Sequence, residues 1–167
     1  MTQKDPLGLT PLPVDDRERF LRFVLARKND VLLPIAHIRA VVQLSWVDVL
    51  PIPDVSNRVM GLCNWKGKTL WLIDLNEMLG YAALSASSLS SFAVIVVDYQ
   101  KRLLGLVVEQ VDDIDLLNSE TIRFKSGLCP PSLEPFVLGY YPSHSEECMS
   151  TVLSVSAIVE ALTLTSA

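Results

Sequence analysis

His144 and Cys148 stand four residues apart, a spacing that a helix would turn into two metal ligands on one face. Glu109, Asp112, Asp113, Asp115 and Glu120 crowd into a short acid-only stretch, the raw material for paired carboxylates in acid–base work. Neither pattern carries through. Pro142 and the Ser/Glu residues around His144 read as a turn, no CxxC occurs, and His37, Cys63 and Cys129 lie far away in sequence. Adjacent exposed acids lack the cleft and the separated pKa values that a catalytic pair needs. Their plain reading is a solvated face; the sharper one is an acidic surface that steers a basic partner. The seven glycines never form GxGxxG or GxxxxGK[ST], and no serine sits in G-x-S-x-G. The expectation is therefore a binding surface, with no enzyme activity, no metal and no cofactor.

The bulk properties agree. A chain of 167 residues with 50% apolar content buries roughly 68–70% of its unfolded surface, enough for a core without disulfide staples. Fourteen Lys+Arg against nineteen Asp+Glu give a net charge of −5, which disfavours nucleic-acid binding. The charge is uneven: residues 1–90 carry +1 and residues 91–167 carry −6. Three unpaired-looking cysteines point to a reducing compartment. The first sixteen residues include Lys4, Asp5, Asp15 and Asp16 around three prolines, so they read as a flexible lead-in and not a signal peptide. The longest apolar run, Phe92–Val97, is far too short to cross a bilayer. A cytoplasmic protein without membrane insertion is expected.

These residues must be positioned by a set of short elements. Phe20–Ala26 and Val31–Ile35 read as strands joined by the polar turn Arg27–Asp30. Ile35, Ile38, Val41 and Val42 fall at i, i+3, i+6 and i+7, which predicts one apolar face of a short helix. Pro51 and Pro53 bracket an extended segment. Arg58–Asn64 and Thr69–Ile73 form a hairpin in which Gly67 supplies the positive φ of the turn. Asp74 and Glu77 have capping-box spacing, and Gly80 ends that helix. Ala82–Ser91, uncharged and serine-rich, reads as a linker between two structured halves. Beyond it come strands Phe92–Asp98, Leu103–Val108, Phe136–Tyr141 and Met149–Leu153, then a closing helix capped by Ser154. Phe20 and Phe92, 72 residues apart, each open a strand–turn–strand, with Ile38 matching Val111 farther on: an internal duplication. Many short strands and few helices favour a β-rich pair of small barrels.

Val59–Leu75, which contains Asn64-Trp65-Lys66-Gly67 and then Ile73-Asp74-Leu75, resembles the signature of CheW-like adaptor proteins of bacterial chemosensory systems. That signature runs hydrophobic-x-G-hydrophobic-x-N-L-R-G, then an apolar strand ending in I-D-L. Ile38–Val42 is similar to the family's V-x-E-V-V helix, and Val94–Asp98 with Leu104–Val111 to its second-half hairpin. The likeness spans Phe20–Leu162. It implies a mainly β fold: two SH3-like five-stranded β-barrels packed on a shared core with short helices, forming one domain over residues 17–165. It also implies a non-enzymatic adaptor that couples methyl-accepting receptor signalling tips to the regulatory domain of a CheA-type histidine kinase. Other CheW-like domains are a further partner class, and recruitment to receptor arrays would run through these partners. The residues that the resemblance assigns to partner binding are Ile38, Val41 and Val42, bordering an apolar receptor groove, and Asn64, Trp65, Lys66 and Gly67 at the turn. An apolar groove suits a helical receptor tip by i/i+3/i+4 anchoring. Lys66 replaces the usual Arg, giving up bidentate carboxylate pairing, and Ala40 replaces a common Glu. Trp65 places a large ring where Leu is usual, suited to an interface hot spot or to covering the barrel edge. With Trp71 it is similar to members serving pilus-driven motility or phototaxis. From a different class, a small-ligand sensor would use a pocket between the two barrels.

Overall fold

The run Phe92–Val97 is buried on both faces, so the strand that contains it must lie inside a sheet with packing on either side. In the computed structural model, which describes residues 16–26, 29–87, 89–124, 126–142 and 149–165, that strand is β6 (Ser91–Tyr99). Five strands precede it: β1 (Glu18–Leu25), β2 (Asn29–Pro34), β3 (Ile38–Ser45), β4 (Val59–Trp65) and β5 (Lys68–Asp74), followed by the single turn α1 (Leu75–Met78). Four follow it: β7 (Arg102–Val108), β8 (Val111–Leu117), β9 (Val137–Pro142) and β10 (Met149–Leu153), then α2 (Val155–Thr165). They form two five-stranded half-barrels, sheet one in the order β3-β6-β7-β5-β4 and sheet two in the order β8-β1-β2-β10-β9.

The two orders are the same order. β6, β7, β3, β4 and β5 take the places in sheet one that β1, β2, β8, β9 and β10 take in sheet two, and each pairing keeps its sense, including the parallel pairs β5/β7 and β10/β2. The duplication read from Phe20 and Phe92 thus extends over the whole fold. Its leading hairpins are exchanged: β1–β2 completes the sheet made by β8–β10, and β6–β7 completes the one made by β3–β5. Each sheet therefore draws strands from both sides of residues 82–91, and that segment does not divide the barrels from each other. Smaller features repeat too. The Asp74 carboxylate accepts from the Glu77 amide at 3.2 Å, and Ser154 Oγ accepts from the Ala157 amide at 3.2 Å, capping α1 and α2 alike. Leu50 bridges to Leu62 and Arg123 to Tyr140, drawing each half-barrel toward closure. Beside those bridges, Gly61 and Gly139 make room for the neighbouring backbone.

Residues 38–45 are not helical, contrary to the spacing of Ile35, Ile38, Val41 and Val42. They form β3, with alternating exposure. The spacing is outweighed by residue type: Ile38, Val41 and Val42 are β-branched and stand at positions that pair with β6. Only Ile35–His37 makes a short 3-10 turn. Alternation elsewhere sorts the core. Leu21, Phe23, Val31, Leu33, Ile73, Ile95, Val97, Leu106 and Val108, with Val155, Ile158 and Val159 of α2, fill the space between the sheets. Cys63, Leu70, Leu72, Phe92, Val94, Val96 and Val107 fill the interior of barrel one, while Phe20, Leu32 and Val152 fill that of barrel two.

Candidate partner-binding surfaces

β3 is an edge strand, and the structure divides its three named residues. Ile38 and Val42 turn inward, Ile38 against the shared core and Val42 against the interior of barrel one. Val41 faces out and is 43% exposed. It lines a cleft of about 560 Å³ with Gln43, Ala93, Glu109, Gln110 and Val111, and Leu89–Ser91 form its lip. Since Val41 lies on β3 of sheet one and Val111 opens β8 of sheet two, the cleft runs where the edges of the two barrels meet.

The turn residues lie elsewhere. β4 and β5 pair in register up to Trp65 opposite Lys68, which leaves Lys66 and Gly67 as a two-residue turn with φ of 50° and 77°. Two left-handed residues in succession match the right-handed twist of a hairpin. The Asn64 side chain locks the turn by accepting from the Gly67 amide at 3.0 Å. Trp65 is half-buried against the barrel-one interior, and Lys66 Nζ lies 5.0 Å from its ring centroid, a cation–π contact. The ring thus folds over the barrel edge and leaves part of its surface open, while Asn64, Lys66 and Gly67 are exposed. The cleft and the tip sit toward opposite ends of sheet one: Gln43 pairs with Ala93 near the start of β6, whereas the tip lies level with its end.

The acidic stretch is split as well. Asp112 and Asp113 are exposed on edge strand β8. Asp115 points to the barrel-two side and accepts from Arg22 Nε at 2.6 Å. Arg22 also donates to Asp30 and to Ser150 Oγ, each at 3.2 Å. Nothing in the local sequence signals this cluster, because its members come from four strands. His144 and Cys148 lie outside the described residues. Among the described residues, no group of His, Cys, Asp and Glu could hold a metal ion, and no helix is long and apolar enough to cross a membrane.

Three buried titratable groups stand apart from these surfaces. Asp74 is almost wholly buried, and desolvation raises its pKa above the usual carboxylate value; amides of Leu84, Glu77 and Asn76 offset part of that rise. Its second oxygen accepts from the Leu84 amide at 2.9 Å, so the residue pins the serine-rich segment as well as capping α1. Burial, and then the charge of Asp48, push the Cys63 thiol up. Burial pushes the Tyr140 phenol well up, with its bond to Cys129 adding to the rise. Tyr140 and Cys129 line a smaller cavity of about 280 Å³ with Leu25, Val31 and Tyr81.

The chain matches the CheW-like domain family over residues 19–163. A chemotaxis protein CheW from Rhizobium meliloti (strain 1021) is 30% identical over 78 residues, which is 47% of this chain and 49% of that protein. The match thus spans about half the length of that relative. The crystal structure of scaffolding protein TtCheW from Thermoanaerobacter tengcongensis superposes with a TM-score of 0.69 at 21% identity, covering 83% of this chain and 90% of that one. At that identity the likeness speaks for the fold, and it agrees with the two half-barrels.

Proposed function

The chain belongs to the CheW-like domain family, and from that premise we propose that it is a non-enzymatic adaptor in chemosensory signalling, joining a methyl-accepting receptor tip to the regulatory domain of a CheA-type histidine kinase. The observation that carries this reading is the presence of two exposed surfaces toward opposite ends of one barrel, the cleft beside Val41 and the tip Asn64–Gly67. An adaptor needs two sites that do not compete. The cleft suits one helix of a receptor hairpin, with Val41 and Val111 meeting its apolar positions and Gln43, Glu109 and Gln110 its polar flank. The tip suits a rigid contact with the kinase: its turn is locked by Asn64, and Trp65 keeps part of its ring open beside Lys66. Ile38 and Val42 then support Val41 from behind and do not touch a partner.

Pull-down with the cognate kinase regulatory domain and a receptor signalling tip tests this. Val41→Asp should weaken receptor binding while sparing the kinase, and Lys66→Glu should do the reverse, both with unchanged melting temperatures. Failure of the folded wild-type protein to bind either partner would end the proposal.

A further inference from the structure

The segment 82–91 is uncharged and rich in serine, and a stretch of that kind with nothing to hold it samples many positions. Here it is held at two points. Near its start, Leu84 is buried in the interior of barrel one, and its amide donates to Asp74 Oδ2 at 2.9 Å. Farther on, Leu89 packs against the same interior, and its carbonyl accepts from Trp46 Nε1 at 2.9 Å. The Leu89 amide donates to the Ser85 carbonyl at 3.1 Å, which closes the stretch between the anchors into a turn. The second anchor falls on the lip of the cleft itself, since Leu89, Ser90 and Ser91 line it.

Trp46 is fixed well enough to hold that carbonyl. It directly follows Ser45, the last residue of β3, the strand that gives Val41 and Gln43 to the cleft. Its 3-10 turn, Trp46–Asp48, is fastened by Asp48, which accepts from the Ser45 amide at 2.9 Å and from Ser45 Oγ at 3.2 Å. The indole stands edge-on to Phe92, with ring centroids 5.2 Å apart and planes at 71°, and Phe92 is fully buried. Turning the N–H away from Leu89 would therefore disturb the ring contact as well. Gln43 adds a second tie, its Nε2 donating to Ser91 Oγ at 3.0 Å. The cleft lining includes Gln43 and the lip but not Trp46.

We propose that Trp46 is a positioning residue for the cleft: its bond to Leu89 holds the lip where a receptor helix seats against it. The inference rests on the adaptor reading, and it assigns part of the receptor affinity to a side chain that touches no partner. Without the indole donor, the lip depends on Leu89 packing and on the Gln43 tie. When only a fraction of molecules holds the binding-competent arrangement, apparent affinity falls by that fraction. Water can take the place of the indole at the Leu89 carbonyl, so the effect is moderate and not all-or-none.

Trp46→Phe is the test, because it keeps a ring against Phe92 and removes the donor. Calorimetric titrations are run with the purified receptor signalling tip and, separately, with the kinase regulatory domain. The expected result is a tip affinity about three- to tenfold below wild type. Kinase affinity should be unchanged, and the melting temperature should fall by no more than about 4 °C. Hydrogen exchange at the Leu89 amide should quicken in the same variant, because the turn it closes has lost an anchor. Ser154→Ala, which weakens the cap of α2 and lies outside the cleft lining, is the control and should bind both partners as wild type does. Unchanged tip affinity, or unchanged exchange at Leu89, would overturn the proposal and leave the adaptor standing. Equal weakening toward both partners, or weaker tip binding by Ser154→Ala, would overturn it too, because lost stability alone would then explain the effect. A collapse of the fold in Trp46→Phe would also overturn it, by making Trp46 a part of the core. If the wild-type protein binds neither partner, the adaptor reading fails and this inference falls with it.

Discussion

Barrels one and two share an order of strands but not an interior. In barrel one, Phe92 stands opposite Leu44, and Val94 follows two residues on. In barrel two, Phe20 stands opposite Asp115, and Arg22 follows two residues on. The large aromatic is kept and fully buried in both, whereas the next layer is aliphatic in one and an Arg22–Asp115–Ser150 cluster in the other. What this topology demands is a bulky ring near the start of the leading hairpin; the layer beside it accepts either packing or a satisfied polar network. Burying Phe92 or Phe20 contributes roughly 1.5–3 kcal/mol each, and the ion pair has to hold its own against desolvation.

The sharpest way to break the parallel is at the closing bridges. At Gly61 an added Cβ would lie 2.4 Å from the Leu50 carbonyl oxygen, with φ at 151°, so neither backbone nor side chain can yield. Gly61→Ala should cost about 4 kcal/mol or more by urea denaturation, at the extreme of single-site effects. At Gly139 the added Cβ first meets the Ile122 methyl at 2.5 Å, which is a side chain. Gly139→Ala should cost only about 1–3 kcal/mol. Equal losses at the two sites would mean that the Ile122 side chain yields no more than the Leu50 backbone does.

Next in size is a conversion of one interior into the other. Arg22→Val alone leaves Asp115 and Asp30 without their cation and should cost about 2–3 kcal/mol. Arg22→Val combined with Asp115→Leu, which copies barrel one, should recover most of that loss and fall within about 1 kcal/mol of wild type. A double variant as unstable as the single one would show that barrel two needs its polar layer.

The caps give a smaller contrast. Ser154→Ala removes one acceptor and should cost about 1 kcal/mol. Asp74→Ala removes acceptors for the Glu77 and Leu84 amides and should cost about 2–3 kcal/mol. The least effect is in pH. Because burial raises the Asp74 pKa, the folded state holds that proton more tightly than the unfolded state does. Its contribution is fully present below the unfolded pKa and is lost as pH rises through the folded value. Urea titrations of wild type and Asp74→Asn from pH 4 upward should therefore show wild type losing stability relative to the variant as pH rises, and a relative gain would contradict the burial argument.

How much of the molecule is legible in its sequence follows from range. The β4–β5 hairpin, the two caps, the β6–β7 strands and the duplication are readable, because turn chemistry, capping and alternation act within a few residues. The helix expected over β3 fails because four aliphatics are too few to fix a helical period, and the β-branched character of Ile38, Val41 and Val42 favours the strand. The strand assignment also changes the site: a helix would have put Ile38, Val41 and Val42 on one face, whereas the pleat sends only Val41 to the cleft. The Arg22–Asp115 pair, 93 residues apart, leaves no local trace. Neither does the pairing of Trp71 with Leu104, which depends on parallel strands on either side of residues 82–91.

The exchange of leading hairpins sets a schedule for biosynthesis. A ribosome emits residues at about 5–20 per second, and β1–β2 emerges first, yet its neighbours β8 and β10 come only after residue 110. Until then that ribbon waits as an isolated two-stranded piece, marginal in water, and sheet one can close first only by taking in β6 and β7. The amino-terminal strands are therefore among the earliest made and the last to be sheltered.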